Sequence, residues 1–319
     1  MTCHNCKIDG RKAGKRPDGQ QRYRCGQCGK TFSQPKEQDN LFAQKQAVDD
    51  KQALLALQLL VEGNSIRSTQ RITGLAKKTV MRLLVMAGER CQIVLDTNIQ
   101  NIPVSDVQTD EIWSFVGKKN SRRVLGDKNF HEIGDAWTFI AIERNTKLVL
   151  THEVGRRNTG SAIRFMAKLA KAASADQKFQ LSTDGFKPYN YAVGTQLDGR
   201  CDYGQLVKIY AAPTPEEQRR YSPAHVVEAI ATEVYGDPIP ERICTSHIER
   251  QNGSLRQWCK RLTRLTYAFS KKWGNLKAAL ALHFAYYNFC RKHSSLKGRT
   301  PAMAAGITDR VWGIADLLA

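Results

Sequence analysis

The chain has 319 residues, and its 49 lysines and arginines against 30 aspartates and glutamates give a net charge of +19. Hydrophobic residues make up 41% of the chain, which is ordinary for a globular protein and excludes wholesale disorder. The uncharged stretch 278–290, with 13 residues, is too short to span a membrane, which takes about 20. A basic chain predicts a nucleic-acid partner, and an N-terminus without an apolar core predicts a cytoplasmic protein that does not enter a membrane.

Two cysteine pairs at the start of the chain predict a metal site. Cys3 and Cys6 are separated by two residues, as are Cys25 and Cys28, and 18 residues lie between the pairs. Thiols stay reduced in the cytosol, so this spacing favours a tetrahedral Zn²⁺ site over disulfides. A redox pair or four unlinked thiols are the alternatives. We therefore predict a zinc ribbon over residues 1–38, a domain that needs its metal to fold.

The next segment, residues 39–100, predicts a small helical domain. Residues 31–50 are polar and are interpreted as a linker, and an apolar helical pattern follows from about Asp49 to Val61. A short helix, a turn at Gly74 and a second helix are then typical of a helix-turn-helix, although any helical hairpin has similar spacing. The residues of the second helix that we expect to contact DNA are Lys77, Lys78, Thr79 and Arg82.

The pattern of residues 101–319 predicts a mixed α/β domain. Helical spacing marks Ser161–Ala173, and alternation or short apolar runs mark the strands. The predicted strands are 107–116, 136–142, 148–154, 179–183 and 206–210. This order predicts a mixed sheet with helices packed on it. Residues 211–245 are acidic, and we interpret about 194–245 as an insertion into the domain.

One carboxylate stands out in the basic C-terminal part of the chain. Residues 246–300 contain twelve lysines and arginines but a single acid, Glu249. In a helix, Glu249 and Asn252 share a polar face with two basic residues. A basic face can follow a phosphate backbone, and an acid there weakens that binding unless it has a role of its own. An ordinary ion pair with Arg250 or Arg256 is the alternative.

Two aspartates are placed where they can meet Glu249. Asp110 lies inside a predicted strand, where aspartate is depleted, and Asp184 ends another predicted strand directly before Gly185. Three hard oxygen ligands suit Mg²⁺, or Mn²⁺ in its place, and such ions can stabilise both the attacking and the leaving oxygen of a phosphodiester. A hydrogen-bonded structural acid at Asp110 and a turn residue at Asp184 are the alternatives.

In this order, the motifs resemble the DDE transposases of bacterial insertion sequences, most closely the insertion-sequence-one group and its relatives. The resemblance covers nearly the whole chain. Besides the cysteine pairs, the segments that carry it are 109–113, 183–185, 247–252 and 287–301. It implies an RNase H-like catalytic domain behind a zinc ribbon and a helix-turn-helix. It also implies that Asp110, Asp184 and Glu249 are the catalytic, Mg²⁺-binding triad.

The spacing departs from the family's pattern at the third carboxylate. Asp184 and Glu249 are 65 residues apart, which is longer than usual for the family and is explained by the predicted insertion. Glu228 and Glu241 are therefore rival third ligands, although the helical position of Glu249 in the basic face favours it. Glu111, next to the first aspartate, is expected to point to the opposite face of the sheet and not to bind the metal.

The resemblance implies a transposase that binds the terminal repeats of an insertion sequence, cuts DNA and joins the new 3′ end to target DNA. Its partner would be double-stranded DNA, on which the chain would assemble as a homo-oligomer. The basic residues expected to line this DNA are Arg250, Arg256, Lys260, Arg261 and Arg264. Two alternatives stay open: a DNA-binding regulator with an inactive C-terminal domain, and an RNase H-like nuclease that cannot join strands.

Overall fold

A computed structural model describes residues 1–3, 5–15, 19, 21–33, 48–211 and 226–319 of the chain. The chain divides into two compact units, residues 1–50 and 51–319. The predicted boundary at residue 38, most of the predicted linker and the middle of the predicted insertion lie outside the described residues.

The first unit contains a three-stranded antiparallel sheet. Its strands are β1 (Arg11–Lys15), β2 (Gln21–Arg24) and β3 (Thr31–Ser33), with β2 in the centre. Tyr23 of β2 pairs with Phe32 of β3, and their rings stack with centroids 6.1 Å apart. The interpretation of the segment from residue 31 as a linker is therefore wrong for β3, which is held by its pairing with β2.

The second unit is built on a six-stranded mixed sheet. Its strands are β4 (Asp106–Val116), β5 (Gly134–Glu143), β6 (Val149–Gly155), β7 (Phe179–Asp184), β8 (Cys201–Tyr210) and β9 (Val226–Tyr235). They lie in the order β6-β5-β4-β7-β8-β9. The pairs β4–β7 and β7–β8 are parallel and the others antiparallel. The predicted mixed sheet is confirmed, and its order and directions are consistent with an RNase H-like fold.

Helices precede this sheet and pack on it. They are α1 (Asp50–Val61), α2 (Ile66–Thr73), α3 (Lys77–Asn98), α4 (Thr159–Ala172), α5 (Pro188–Gln196), α6 (Ser246–Trp258), α7 (Trp273–Ala285) and α8 (Pro301–Ala304). A π-helical turn follows α7 at Tyr286–Cys290. Short 3₁₀ turns lie at Asn120–Arg122, Phe130–Glu132, Pro240–Arg242 and Ser294–Leu296. Within the described ranges, no helix has both the length and the apolar character that crossing a membrane needs.

The region interpreted as an insertion supplies two strands of the sheet. Strand β8 pairs with β7 from Cys201 to Leu206 and continues to Tyr210, so the strand predicted at 206–210 is the outer part of a longer element. Strand β9 pairs with β8 along its length and is exposed almost throughout. Because its side chains are exposed on both faces, β9 carries no alternation of apolar and polar residues from which it could be predicted.

Helices α2 and α3 form where the helix-turn-helix is predicted. The hydroxyl of Ser65 caps α2 by accepting the N–H of Ser68 at 3.0 Å, and Gly74 ends the helix at a φ of 71°. Helix α3 is 22 residues long and packs against α7. These helices therefore belong to the same compact unit as the sheet. A role in DNA binding stays a prediction.

The C-terminal segment closes the β6 edge of the sheet. The buried side chain of Asn288 accepts the N–H of Val149 at 3.0 Å and donates to the carbonyl of the same residue at 2.9 Å. The amide thus supplies, at this residue, the hydrogen bonds that a neighbouring strand would make.

The packing of α3 against α7 depends on the absence of a side chain at Gly88. A Cβ atom there would lie 2.3 Å from the carbonyl oxygen and 2.4 Å from the Cα of Ala278. We expect Gly88→Ala to lower the free energy of unfolding by roughly 1–3 kcal/mol, because the two backbones must separate. Urea denaturation measures the change.

Gly253 in α6 is the matched control, since a Cβ atom there would meet nothing within 4 Å. We expect Gly253→Ala to raise stability by up to about 1 kcal/mol through helix propensity alone. Equal stability of the two variants would contradict the close-contact explanation.

Candidate functional site

The register between two parallel strands positions the predicted aspartates. Gln108 of β4 lies beside Ser182 of β7, and this pair is the last of the ladder between these strands. Asp110 and Asp184 each follow two residues later, so both side chains leave the same face of the sheet. Strand β7 ends at Asp184, where the N–H of Phe186 donates to Oδ1 at 3.0 Å. The two carboxylates therefore meet where the strands separate.

A third carboxylate joins them, and it is not the predicted one. Carboxylate oxygens of Asp110, Glu111 and Asp184 all lie within 4.8 Å of one another. The expectation that Glu111 turns away from this site is wrong. The ladder with β7 has ended before Glu111, so no neighbouring strand separates its long side chain from Asp184. The guanidinium of Arg157 lies between them, 3.4 Å from Glu111 Oε1 and 3.6 Å from Asp184 Oδ2.

Helix α6 orients Asp110 from the face of the sheet. Its N-terminus is fixed to β4 because Gln108 Oε1 accepts the N–H groups of His247 and Ile248 at 2.9 and 3.2 Å. One turn later the buried Asn252 donates from Nδ2 to Asp110 Oδ2 at 2.8 Å. The other oxygen of Asp110 accepts the N–H of Glu111 at 2.8 Å. Asp110 is therefore held in one orientation by two hydrogen bonds.

Burial raises the pKa of all three carboxyl groups, and repulsion by neighbouring carboxylates adds to the shift at Asp110 and Glu111. Burial, then the charges of Asp184 and Glu249, raise the pKa of Asp110 to about 6. Burial and the charge of Asp184 raise the pKa of Glu111 to about 8, although Arg157 opposes the shift. Burial also raises the pKa of Asp184. Such shifts indicate carboxylates that lack sufficient neutralising charge.

Glu249 lies at the same cleft but outside this cluster. The cleft has a volume of about 700 Å³, and Asp110, Asp184, Glu249 and Lys208 are among its lining residues. Oε1 of Glu249 accepts hydrogen bonds from Lys208 Nζ and from the hydroxyl of Thr245. The rivals Glu228 and Glu241 lie on the exposed strand β9 and in the 3₁₀ turn at Pro240–Arg242. The third predicted ligand therefore faces the site while being paired to a lysine.

The donor set fits a divalent cation such as Mg²⁺. Its oxygens are the hard ligands that this ion prefers, and three acids crowd into one place. Oε1 of Glu111 is buried and, within the described residues, accepts no hydrogen bond. A cation bound there would neutralise the charges that raise the pKa values of Asp110 and Glu111.

The four predicted zinc ligands converge in the first unit. Their Sγ atoms all lie within 4.8 Å of one another, and those of Cys3 and Cys28 are 3.8 Å apart. A tetrahedral zinc with bonds of about 2.3 Å requires sulfurs about 3.8 Å apart. Among the described residues of this unit, Cys3 and Cys25 are the buried ones, so the cysteines themselves form the core.

Each cysteine pair lies in a tight turn of the same form. The N–H of Lys7 donates to the carbonyl of Cys3 at 2.9 Å, and the N–H of Gly29 donates to that of Cys25 at 3.1 Å. Both donors have positive φ angles, 58° and 68°. The Cys28 N–H donates to the Cys25 sulfur and lowers the pKa of that thiol to about 7. The second turn thus favours a thiolate at Cys25, which is the form that binds zinc, whereas hydrogen bonding with Cys28 and burial raise the pKa of Cys6 to about 12.

The basic residues predicted to contact DNA fall into two groups. Six are exposed, on α3 and on or after α6: Lys77, Lys78, Arg82, Arg250, Lys260 and Arg264. Two are engaged within the fold. Arg256 donates to the carbonyl of Leu262 at 3.0 Å, and Arg261 donates to the hydroxyl of Ser270 at 3.0 Å. Arg256 and Arg261 are therefore the weaker candidates for DNA contact.

Two residues of the cleft are absent from the sequence-based predictions. Arg157 follows β6 and precedes α4, and Lys208 lies on β8. The pair Arg156-Arg157 after a predicted strand is a signal for the first, but nothing in the sequence connects it to Asp184. Lys208 is a single lysine in a strand and has no such signal.

Comparisons with known proteins find similar structures but no similar sequences. No family model and no curated protein matches the chain. The chain is similar to a piggyBac transposase synaptic complex with hairpin DNA, with 12% identity over 86% of this chain and 70% of that one and a TM-score of 0.40. It is also similar to the Mos1 mariner paired end complex with Mn, with 11% identity over 50% of this chain and 59% of that one and a TM-score of 0.22. At these TM-scores neither similarity carries an argument, so the function has to be argued from the site.

The cluster of four cysteines predicts a zinc content that depends on each of them. We expect about one zinc per chain in the purified protein and almost none in Cys25→Ser, because the site needs all four thiolates. Elemental analysis measures the ratio. Cys244→Ser is the control, since Cys244 is outside this unit and should keep the zinc. Wild-type protein without zinc would exclude the site.

The raised pKa of Glu111 predicts that stability falls with increasing pH. Its pKa is raised from 4.5 to about 8 in the folded state, so the folded protein holds a proton that the unfolded chain releases. The stability that depends on this proton is present at low pH and is lost as the pH rises toward 8. Between pH 6 and 8, without divalent cations, we expect the free energy of unfolding to fall by up to about 1.4 kcal/mol per pH unit. Urea denaturation at several pH values measures this slope.

Glu111→Gln should remove most of the slope, because the amide does not titrate. Glu241→Gln, at an exposed position, should keep it. If the wild type and Glu111→Gln have the same slope, Glu111 is not the group responsible.

Proposed function

We propose that this protein is a DDE-type transposase that cuts DNA strands and joins them to target DNA. The observation that carries the proposal is a group of three pKa-shifted carboxylates, one buried and two half-buried, beside an open cleft where β4 and β7 separate. Protein interiors avoid such groups unless they have a task. The motif order of the sequence supports the same conclusion.

Asp110, Asp184 and Glu249 are the proposed ligands of Mg²⁺, or Mn²⁺, and Glu111 is placed to join them. The bound metal would supply a Lewis acid for in-line displacement at phosphorus. Asn252 keeps Asp110 turned toward the cleft through its hydrogen bond of 2.8 Å. Arg157 and Lys208 offer cationic donors at the same cleft for phosphate oxygens.

The proposed DNA contacts come from the exposed basic residues on α3 and around α6. Lys77, Lys78 and Arg82 lie at the start of α3, which follows the turn at Gly74 in the manner of a recognition helix. The zinc-binding unit and these helices would recognise the terminal repeats of the element, and the chain would act as a homo-oligomer on DNA. Arg250, which is exposed and follows Glu249 in α6, would add a further DNA contact.

The test uses terminal-repeat DNA, which the proposal expects to find as inverted repeats on both sides of the gene. Purified protein is incubated with terminal-repeat DNA and Mg²⁺, and nicked and joined products are separated on a gel. We expect Asp184→Asn to bind this DNA normally but to lose activity by roughly 1,000-fold or more, because metal ions stabilise the transition state by several kcal/mol. Asp198→Asn, at an exposed position outside the cleft, should behave as the wild type.

The products also separate the alternatives. Wild-type protein that nicks but never joins DNA is a nuclease. Protein that binds terminal-repeat DNA tightly and neither nicks nor joins it is a regulator, and the enzymatic proposal is then wrong.

A further inference from the structure

Three of the four carboxylates at the site are paired with a basic side chain of the same chain, and the exception is Asp110, which is held by an amide and a backbone N–H. Arg157 contacts both Glu111 and Asp184, at 3.4 and 3.6 Å. Lys208 contacts Glu249, which hydrogen-bonds to Thr245 as well. Two basic side chains therefore contact three of the acids that are placed to bind metal.

Arg157 is positioned by stacking rather than by burial. Its guanidinium lies 4.1 Å from the ring centroid of Phe186 and 5.1 Å from that of Trp137. The side chain of Arg157 is 37% exposed to solvent, whereas that of Glu111 is 1% exposed. The carboxylate is thus fixed in the fold, and the guanidinium reaches it from the solvent side and can leave without unfolding.

Lys208 holds the remaining acid apart from the cluster. In the part of the chain that the structure describes, the group of carboxylates within 4.8 Å of one another comprises Asp110, Glu111 and Asp184, without Glu249. Glu249 is 44% exposed and lies on a helix whose backbone is fixed to β4, so its movement is confined to its own side chain. Breaking the contact with Lys208 is the step that lets Glu249 turn toward the aspartates.

We propose that Arg157 and Lys208 are resident counter-ions that compete with the divalent cation for the carboxylates of the cleft. Arg157 competes directly at Glu111 and Asp184, and Lys208 competes by holding Glu249. The inference rests on the metal site of the proposed function. When the cation binds, both basic groups are released at the wall of the cleft, where a planar guanidinium can donate two hydrogen bonds to a phosphate. Binding of the metal then increases the affinity of the cleft for phosphate, and binding of phosphate increases its affinity for the metal.

The experiment measures Mg²⁺ affinity without DNA, so that activity is not the readout. Isothermal titration calorimetry at pH 8.5 and 0.15 M NaCl keeps proton competition small and screens distant charges. We expect Arg157→Gln and Lys208→Gln each to bind Mg²⁺ about tenfold more tightly than the wild type, because a directly competing cation has been removed.

Lys187→Gln is the matched control. Lys187 lines the same cleft, is exposed and forms no ion pair among the described residues, so its removal changes the net charge equally without freeing a carboxylate. We expect its Mg²⁺ affinity to stay within about twofold of the wild type. Arg157→Lys keeps the charge and should also stay close to the wild type.

The outcomes separate this inference from the proposed function. Wild-type affinity in both glutamine variants, or an equal gain in Lys187→Gln, shows that the contacts do not compete with metal and overturns the inference alone. A wild type that binds no Mg²⁺ overturns the metal site and the proposed function together. Thermal denaturation verifies that each variant is folded. If Arg157→Gln does not fold, the comparison of Mg²⁺ affinity between Lys208→Gln and Lys187→Gln tests the inference.

Discussion

Three carboxylates lie within 4.8 Å of one another where β4 and β7 separate, although burial opposes the ionisation of each and the charge of Asp184 opposes that of the other two. The fold fixes this arrangement by backbone geometry, because the parallel register that pairs Gln108 with Ser182 places two aspartates on one face of the sheet. The repulsion cannot be relieved by separating the strands, which are held by ladders on both sides. What can change is the positive charge that surrounds the carboxylates.

The surrounding residues divide into a fixed and a movable set. Asn252 is buried, and its helix is attached to β4 through Gln108, so Asp110 keeps its orientation. Glu249 lies on the same helix, one turn earlier, yet is exposed and contacts a lysine of β8. One helix therefore contributes a rigid hydrogen-bond donor and a mobile acid. A site of this kind can bind a cation in two steps, first at the sheet and then by recruiting the acid from the helix.

The strands and helices that bear apolar patterns could be predicted closely, as β4 to β7 and α4 show, because burial imposes their periodicity. Strand β9 could not, since its exposed faces impose none. Asp110 and Asp184 could be singled out because aspartate is unusual within or directly at the end of an apolar strand. Glu111 was misjudged because strand alternation gives the direction of the Cβ atom, not the position of a carboxylate three bonds further out.

The cations of the cleft lay beyond prediction for a related reason. Arg157 and Lys208 contact acids that are 46, 27 and 41 residues away in the sequence, and only the sheet order and the packing of α6 on the sheet bring them together. Their presence also changes the meaning of the net charge of +19. The exposed lysines and arginines of α3 and α6 can attract DNA at long range, whereas a cation paired with a carboxylate contributes little to that field. A bound divalent ion would release those paired charges, so the positive potential of the cleft would rise when metal arrives, at the place where a phosphate has to be held.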